Sequence, residues 1–387
     1  MFDYSKALLA EKPFADGVWE KIDKKLRNVA KTAKNKLPYT TVGGKYDDLS
    51  KKNVSWWTNG FWPGIMWLLY YGTKNEVYRA AGEKGEELLD EALKKYNALD
   101  HDVGFLWHIS AGADYRITGN AESRTRNMYA ASILAARFNL QGGFIRAWNK
   151  WSAEEENLGT AIIDCMMNIP LLYWASEESG DPRFKYIAER HAETTMKNHI
   201  RPDGSVKHIV RYDPFSGEYI DNLAGQGYSE HSAWSRGQAW ALYGFVLSYI
   251  HTEKKEFLDT AKRVANYFIA NICMDNYMAR VDFRAPKKPE IYDSTADACA
   301  ACGLLELARV LPEDEGAMYF DAAVKILKML DETCCNYNDD EDSILQMGTE
   351  RYPKNGNMKG VHIPIIYGDY YFIEAIYKLK GFDILFW

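Results

Sequence analysis

Hydrophobic residues recur along the chain with a period close to 3.6, and strand-like alternation is scarce, so the sequence predicts a helical protein. Five stretches carry one apolar stripe backed by Ala, Glu, Lys and Leu, at 76–95, 123–138, 182–199, 257–272 and 316–330. Such stripes mark helices that bury one face and leave the other in water. Six other stretches are apolar around most of their circumference, at 56–73, 102–118, 158–179, 234–252, 293–310 and 366–379. Each has Gly, Asp, Ser or Asn near its start, and a helix apolar all round is a buried one. With a further amphipathic partner at 14–34, the two kinds alternate as about twelve helices in hairpins.

Closing the six buried helices into a ring, with the amphipathic set outside, gives an all-α fold, an α/α toroid. Closure accounts for the lack of a polar-faced capping repeat, which an open stack of hairpins would need. It also predicts a single domain over 1–387, because no Pro-, Gly- or Ser-rich linker divides the chain. The longer connections, at 141–157, 199–232 and 274–293, are where a site is expected.

Composition narrows the function. With 47% hydrophobic and 26% charged residues, the 387-residue chain can bury a sizeable core. Its 12 Trp, 26 Tyr and 16 Phe suit a dense core or a cleft that stacks on sugar rings. A net charge of −7 without a basic stripe argues against a nucleic-acid binder held by phosphate contacts. An anionic small substrate needs only a few local cations and stays open. No apolar run reaches 18 residues, so no membrane span is expected. The N-terminus has no signal-peptide pattern. Cys165, Cys273, Cys299, Cys302, Cys334 and Cys335 lie mostly in apolar helical stretches, the usage of a reducing compartment. A cytoplasmic location is expected, and a monomer or weak homo-oligomer.

Cofactor motifs are absent from the sequence. Cys299 and Cys302 have CxxC spacing but sit inside a helical run, away from the strand–helix context that redox chemistry needs. His101 and His108 lack a third ligand at zinc-like spacing and there is no HExxH, so no metal is expected. No P-loop, GxGxxG or GxSxG occurs. No cofactor is expected.

Acids within buried stretches carry the chemical signal. Asp164 lies among Ile162, Ile163, Met166 and Met167, away from any predicted helix start. Burial and a second carboxylate would both raise its pKa, giving an acid that keeps its proton near neutral pH. Asp102, in HDVGF, is the candidate neighbour, and paired carboxylates are what glycoside cleavage generally uses. Asp114 and Asp297 are further buried candidates; Asp293 and Asp369 read as helix caps or acceptors of buried backbone hydrogen bonds. Between Lys207 and Trp240, His208, Arg211, Gln226, Tyr228, His231, Trp234 and Arg236 crowd a loop leading into a buried helix. Trp and Tyr there offer stacking faces. Arg236 is placed to pair with a carboxylate, either a substrate's or a buried Asp of the protein.

On these residues the chain resembles glycoside hydrolase family 88, the unsaturated glucuronyl hydrolases. The resemblance runs from WWTNGFWPG through HDVGF, GTAIIDCMMN, DGSVKH and GQGYSEHSAWSRGQAW to YGDYYFIEA. RGQAW is its most specific element, because the similar unsaturated rhamnogalacturonyl hydrolases of family 105 typically carry RGNGW there. The resemblance implies an (α/α)6 barrel. It also implies a substrate left by polysaccharide lyases, an oligosaccharide whose non-reducing uronic acid has a C4=C5 double bond. Hydration of that vinyl ether is the implied reaction, with Asp164 protonating C4 and then helping water add at C5. Asp102 would be the second catalytic carboxylate. His208, Gln226, Trp234 and Arg236 match positions that bind substrate or assist, and His101, Trp57 and Trp62 would wall the first subsite. Members acting on sulfated fragments use a Ser-x-x-Ser-x-Lys pattern; KNGNMKGVH here keeps Lys359 without the serines, which counts against sulfate, while Asn355 and Asn357 offer other hydrogen-bond donors and keep it open. The alternatives are a family 105 activity on the same scaffold and a non-catalytic helical-repeat binding protein.

Overall fold

The computed structural model describes residues 3–149 and 157–387. Along these residues run twelve α-helices: α1 (Tyr4–Thr32), α2 (Phe61–Thr73), α3 (Glu76–Leu93), α4 (Ala111–Thr118), α5 (Ala121–Ala135), α6 (Pro170–Ser179), α7 (Pro182–Asn198), α8 (Ser235–Thr252), α9 (Lys255–Ile272), α10 (Ser294–Val310), α11 (Glu313–Thr333) and α12 (Ile366–Leu379). Local chemistry sets many of their starts. Asn75, Asn120, Asp181 and Asp293 each accept the backbone N–H two residues on, capping α3, α5, α7 and α10. Pro182 occupies the first turn of α7, where its missing N–H costs nothing.

The even-numbered helices form the inner ring. α2 packs on α12, α12 on α10, and α10 on α8; the ring then passes through the segments ending in α6 and α4 and returns to α2. The outer helices cover it in sequence, α3 on α2, α5 on α4, α7 on α6, α9 on α8, α11 on α10 and α1 on α12. The fold is an (α/α)6 barrel, as the alternation of buried and amphipathic stretches predicts. One large hydrophobic cluster runs from Ala15 to Trp387.

Two inner segments depart from the expected continuous helices. Within 102–118 the chain makes a π-helical turn, Gly104–His108, before α4. Within 158–179 it makes a short strand, Thr160–Ile162, and a 3-10 turn, Ile163–Met167, before Pro170 opens α6. The strand is recruited by a hairpin, Ile209–Tyr212 paired with Tyr219–Leu223, in an antiparallel three-stranded sheet. Helical periodicity hides this sheet because its strands are only three to five residues long. Of the three expected long connections, 199–232 carries this hairpin, and part of 141–157 lies outside the described residues. A further long connection, from the end of α11 to α12, also reaches the mouth of the ring.

Candidate active site

A cavity of about 690 Å³ opens at the N-terminal ends of the inner segments. Six of the sequence-based candidates meet there: Trp57, His101, Asp102, Asp164, His208 and Gln226. Trp57 precedes α2 and stacks on Tyr367 of α12, with ring centroids 5.0 Å apart. Asp102 precedes the π turn and Asp164 sits in the 3-10 turn, so each break in the ring aims one acid into the cavity. Such irregular turns recur at functional positions because they re-aim side chains that a regular helix would bury.

His208 fixes the electrostatics of Asp164. The backbone N–H of Gln226 donates to His208 Nδ1 at 2.9 Å, which leaves the ring hydrogen on Nε2. Nε2 faces Asp164 Oδ1 at 3.4 Å, an ion-pair distance that is long for a hydrogen bond. This approach needs Gly225, which has φ +57° and where a Cβ would lie 2.0 Å from His208 Nδ1. Behind His208 stands Trp234, ring centroids 4.4 Å apart.

The expected pKa pattern is reversed within the pair. Burial pushes Asp164 up, but the approach of His208 Nε2 and the positive charge of Arg236 outweigh it and hold Asp164 below the usual carboxylate range. Asp102 is the raised member, pushed well up by burial and by the nearby Asp100 and Asp164 carboxylates. Asp100, whose Oδ1 accepts the Asp102 N–H at 2.9 Å, is itself raised by burial to about 6. His101, with Nε2 3.5 Å from Asp102 Oδ1, is pushed down by burial to about 3. The cavity therefore holds one carboxyl group shifted toward its protonated form and one shifted toward its ionised form.

The other candidates lie farther out. Arg236 is buried and committed within the protein: it pairs with Asp293 and donates at 2.7 Å to each of the Thr349 and Glu350 carbonyls. Its guanidinium lies 4.4 Å from the Trp234 ring and 5.1 Å from that of Tyr367. Of the two partners open to it, a protein Asp is the one it meets. Trp62 is wholly buried, edge-on to Tyr46, in the core and not on the cavity wall, because it sits in the first turn of α2 facing inward. Tyr228 is exposed and meets Tyr352 at 4.9 Å in a neighbouring groove with Lys354. Lys359 is exposed on the same loop and does not line the cavity.

Several wall residues carry no sequence signal. Tyr39 donates to the Glu350 carboxylate across 311 positions of sequence, and Gln226 Nε2 donates to the Glu350 carbonyl at 2.6 Å. Arg351, also on the wall, comes from the connection before α12. Asp100 and Asn168 had a faint signal, two positions before Asp102 and four after Asp164. Among the described residues no group of three or more His, Cys, Asp or Glu is placed to hold a metal ion. Nor is any helix there long and apolar enough to cross a membrane.

Known proteins resemble this chain along most of its length. The family model for Glycosyl Hydrolase Family 88 matches residues 29–282. The unsaturated glucuronyl hydrolase of Bacillus sp. (strain GL1) is 37% identical over 329 residues, 84% of this chain and 86% of that protein. The unsaturated chondroitin disaccharide hydrolase of Streptococcus pneumoniae (strain ATCC BAA-255 / R6) is 35% identical over 338 residues, 86% of this chain and 83% of that protein. The crystal structure of the Bacillus sp. GL1 enzyme, described as responsible for the degradation of glycosaminoglycan, superposes with a TM-score of 0.86 at 33% identity, covering 94% of this chain and 97% of that one.

Proposed function

The chain belongs to glycosyl hydrolase family 88, and from that premise we propose that it releases the unsaturated uronic acid from the non-reducing end of lyase-generated, glycosaminoglycan-type oligosaccharides. The observation that carries the reading is the pair Asp102 and Asp164, shifted in opposite directions by their surroundings, in a cavity walled by Trp57, His101 and His208. Two carboxyl groups whose surroundings push their proton affinities apart can divide the work of acid and base.

The reaction hydrates the C4=C5 vinyl ether. A proton passes from the pair to C4, and positive charge develops at C5, shared with the ring oxygen. Water adds at C5 and gives its proton back to the carboxylate. The resulting hemiketal opens, and the remaining sugar leaves. Asp164 is the group that faces the substrate, and Asp102, shifted toward its protonated form, is the reservoir of the proton. Arrival of an anionic uronate puts a further negative charge beside Asp164 and raises its affinity for that proton. The N-terminal end of α12, whose Tyr367 lines the cavity, favours the same anion. Arg236 braces the wall from behind, through Asp293 and the Glu350 carbonyl.

The same reading takes 1–387 as one catalytic domain, supported by the hydrophobic cluster that spans it. It also places the protein in the cytoplasm, which its six free cysteines support. RGQAW at 236–240 and the family match favour this reading over the family 105 alternative.

The test is loss of the ultraviolet absorbance of the conjugated uronate when lyase products are added. Asp164→Asn is expected to slow turnover about 10³-fold with binding and fold retained. Turnover near the wild-type rate would remove Asp164 from its role, and a silent wild-type protein would favour the non-catalytic alternative.

A further inference from the structure

Asn168 ends the 3-10 turn that carries Asp164 and is 1% exposed. Its side chain joins the two broken segments of the inner ring. Oδ1 accepts the backbone N–H of Phe105, in the π turn, at 2.9 Å. Because that partner is only a donor, the amide orientation is fixed, and Nδ2 must face the acceptors. Nδ2 donates to Asp102 Oδ1 and to the Asp164 backbone carbonyl, each at 3.2 Å. The π turn comes this close only because residue 104 is glycine: a Cβ there would lie 2.6 Å from Asn168 Oδ1 and 2.7 Å from its Cα.

Given the roles assigned above to the two acids, we propose that Asn168 is a positioning residue that holds Asp102 and Asp164 at working separation and keeps the Asp102 proton on Oδ2. The amide donates to Oδ1, which also lies 3.5 Å from His101 Nε2, so Oδ1 is the acceptor oxygen and Oδ2 is left to carry the hydrogen. One side chain thus anchors both turns and selects the oxygen that exchanges the proton. Other groups also face Asp102. Asp100 and His101 lie on its own segment, Asp164 and Cys165 on the neighbouring turn, and Arg137 beyond the end of α5. None of them donates to Oδ1 within hydrogen-bond distance as Asn168 does.

Two variants separate positioning from plain support. Asn168→Asp keeps the shape and the acceptor for Phe105 N–H but removes the donor; Asn168→Ala removes both without adding charge. Both are expected to lower kcat by about 10–100-fold with KM little changed. A hydrogen bond to a carboxylate favours its charged form, so losing the amide raises the Asp102 pKa. The basic limb of the pH profile then moves up by about one unit. Infrared titration of the protonated carboxyl band, without substrate, reads the same shift independently of turnover. A folded variant with wild-type kcat and an unmoved carboxyl titration overturns the proposal. So does a variant that merely unfolds at lower denaturant while both stay fixed. If the wild-type protein turns over no lyase product, the proposed reaction fails, and the infrared shift still decides the role of Asn168.

Discussion

The two sides of the inner ring are built differently. On one side α8, α10 and α12 are unbroken and buried at every residue over Ser235–Ser248, Ser294–Ala308 and Ile366–Leu379. On the other, the segments ending in α4 and α6 are interrupted by a π turn and by a strand with a 3-10 turn. Both candidate acids lie at the interruptions. The regular side also contains buried acids, but they are occupied. Asp293 caps α10 and pairs with Arg236; Asp369 accepts the backbone N–H of Ile344 and Leu345 at 2.9 and 2.6 Å; Glu306 pairs with Lys378 at 2.6 Å. A buried acid whose oxygens are satisfied stabilises a structure, whereas Asp164 Oδ1 is buried without a hydrogen-bond partner. The irregular side is where the protein leaves bonding capacity for something else.

That contrast can be broken in three ways. The largest effect falls on the irregular side. If Asp102 stores the proton and Asp164 delivers it, Asp102→Asn is expected to lose about 10³-fold at neutral pH and to recover part of the rate as pH falls. The sign follows from Asp164, whose pKa is held low in the free enzyme and which therefore takes up its own proton only in acid. A profile that stays flat and low down to acid pH would make Asp102 the donor instead. On the regular side the effect should be on stability alone. Leu304, fully buried in α10, is expected to cost about 3 kcal/mol as Leu304→Ala, read by urea unfolding, with kcat of the folded fraction unchanged. The smallest effect compares two tryptophans five positions apart. Trp57→Phe, on the cavity wall, should raise KM a few-fold with little change in unfolding. Trp62→Phe, in the core, should cost about 1 kcal/mol of stability and leave KM alone. Equal KM effects would erase the distinction between wall and core drawn here.

How far the site could be read in advance varies from residue to residue. Asp164 and Asp102 stood out because a carboxylate among apolar neighbours is rare and needs a reason. The sign of the Asp164 shift was not readable, since it depends on His208, 44 positions away, and on Gly225, which lets His208 approach. Trp62 shows the opposite limit: its composition is that of a sugar-binding wall, and only packing reveals that it faces Tyr46.

The sequence by itself determined the alternation of all-round apolar and one-sided apolar stretches, which fits a two-layered helical barrel once the buried set closes into a ring. Burial is a property of each helix's own surface, so 3.6-residue periodicity is enough to reveal it. Tertiary structure alone decided where the ring is broken, in which direction each acid is shifted, and that Arg236 faces Asp293. Those outcomes depend on distances of 3–4 Å between groups tens to hundreds of positions apart, and electrostatic and hydrogen-bond energies change over that range while periodicity does not.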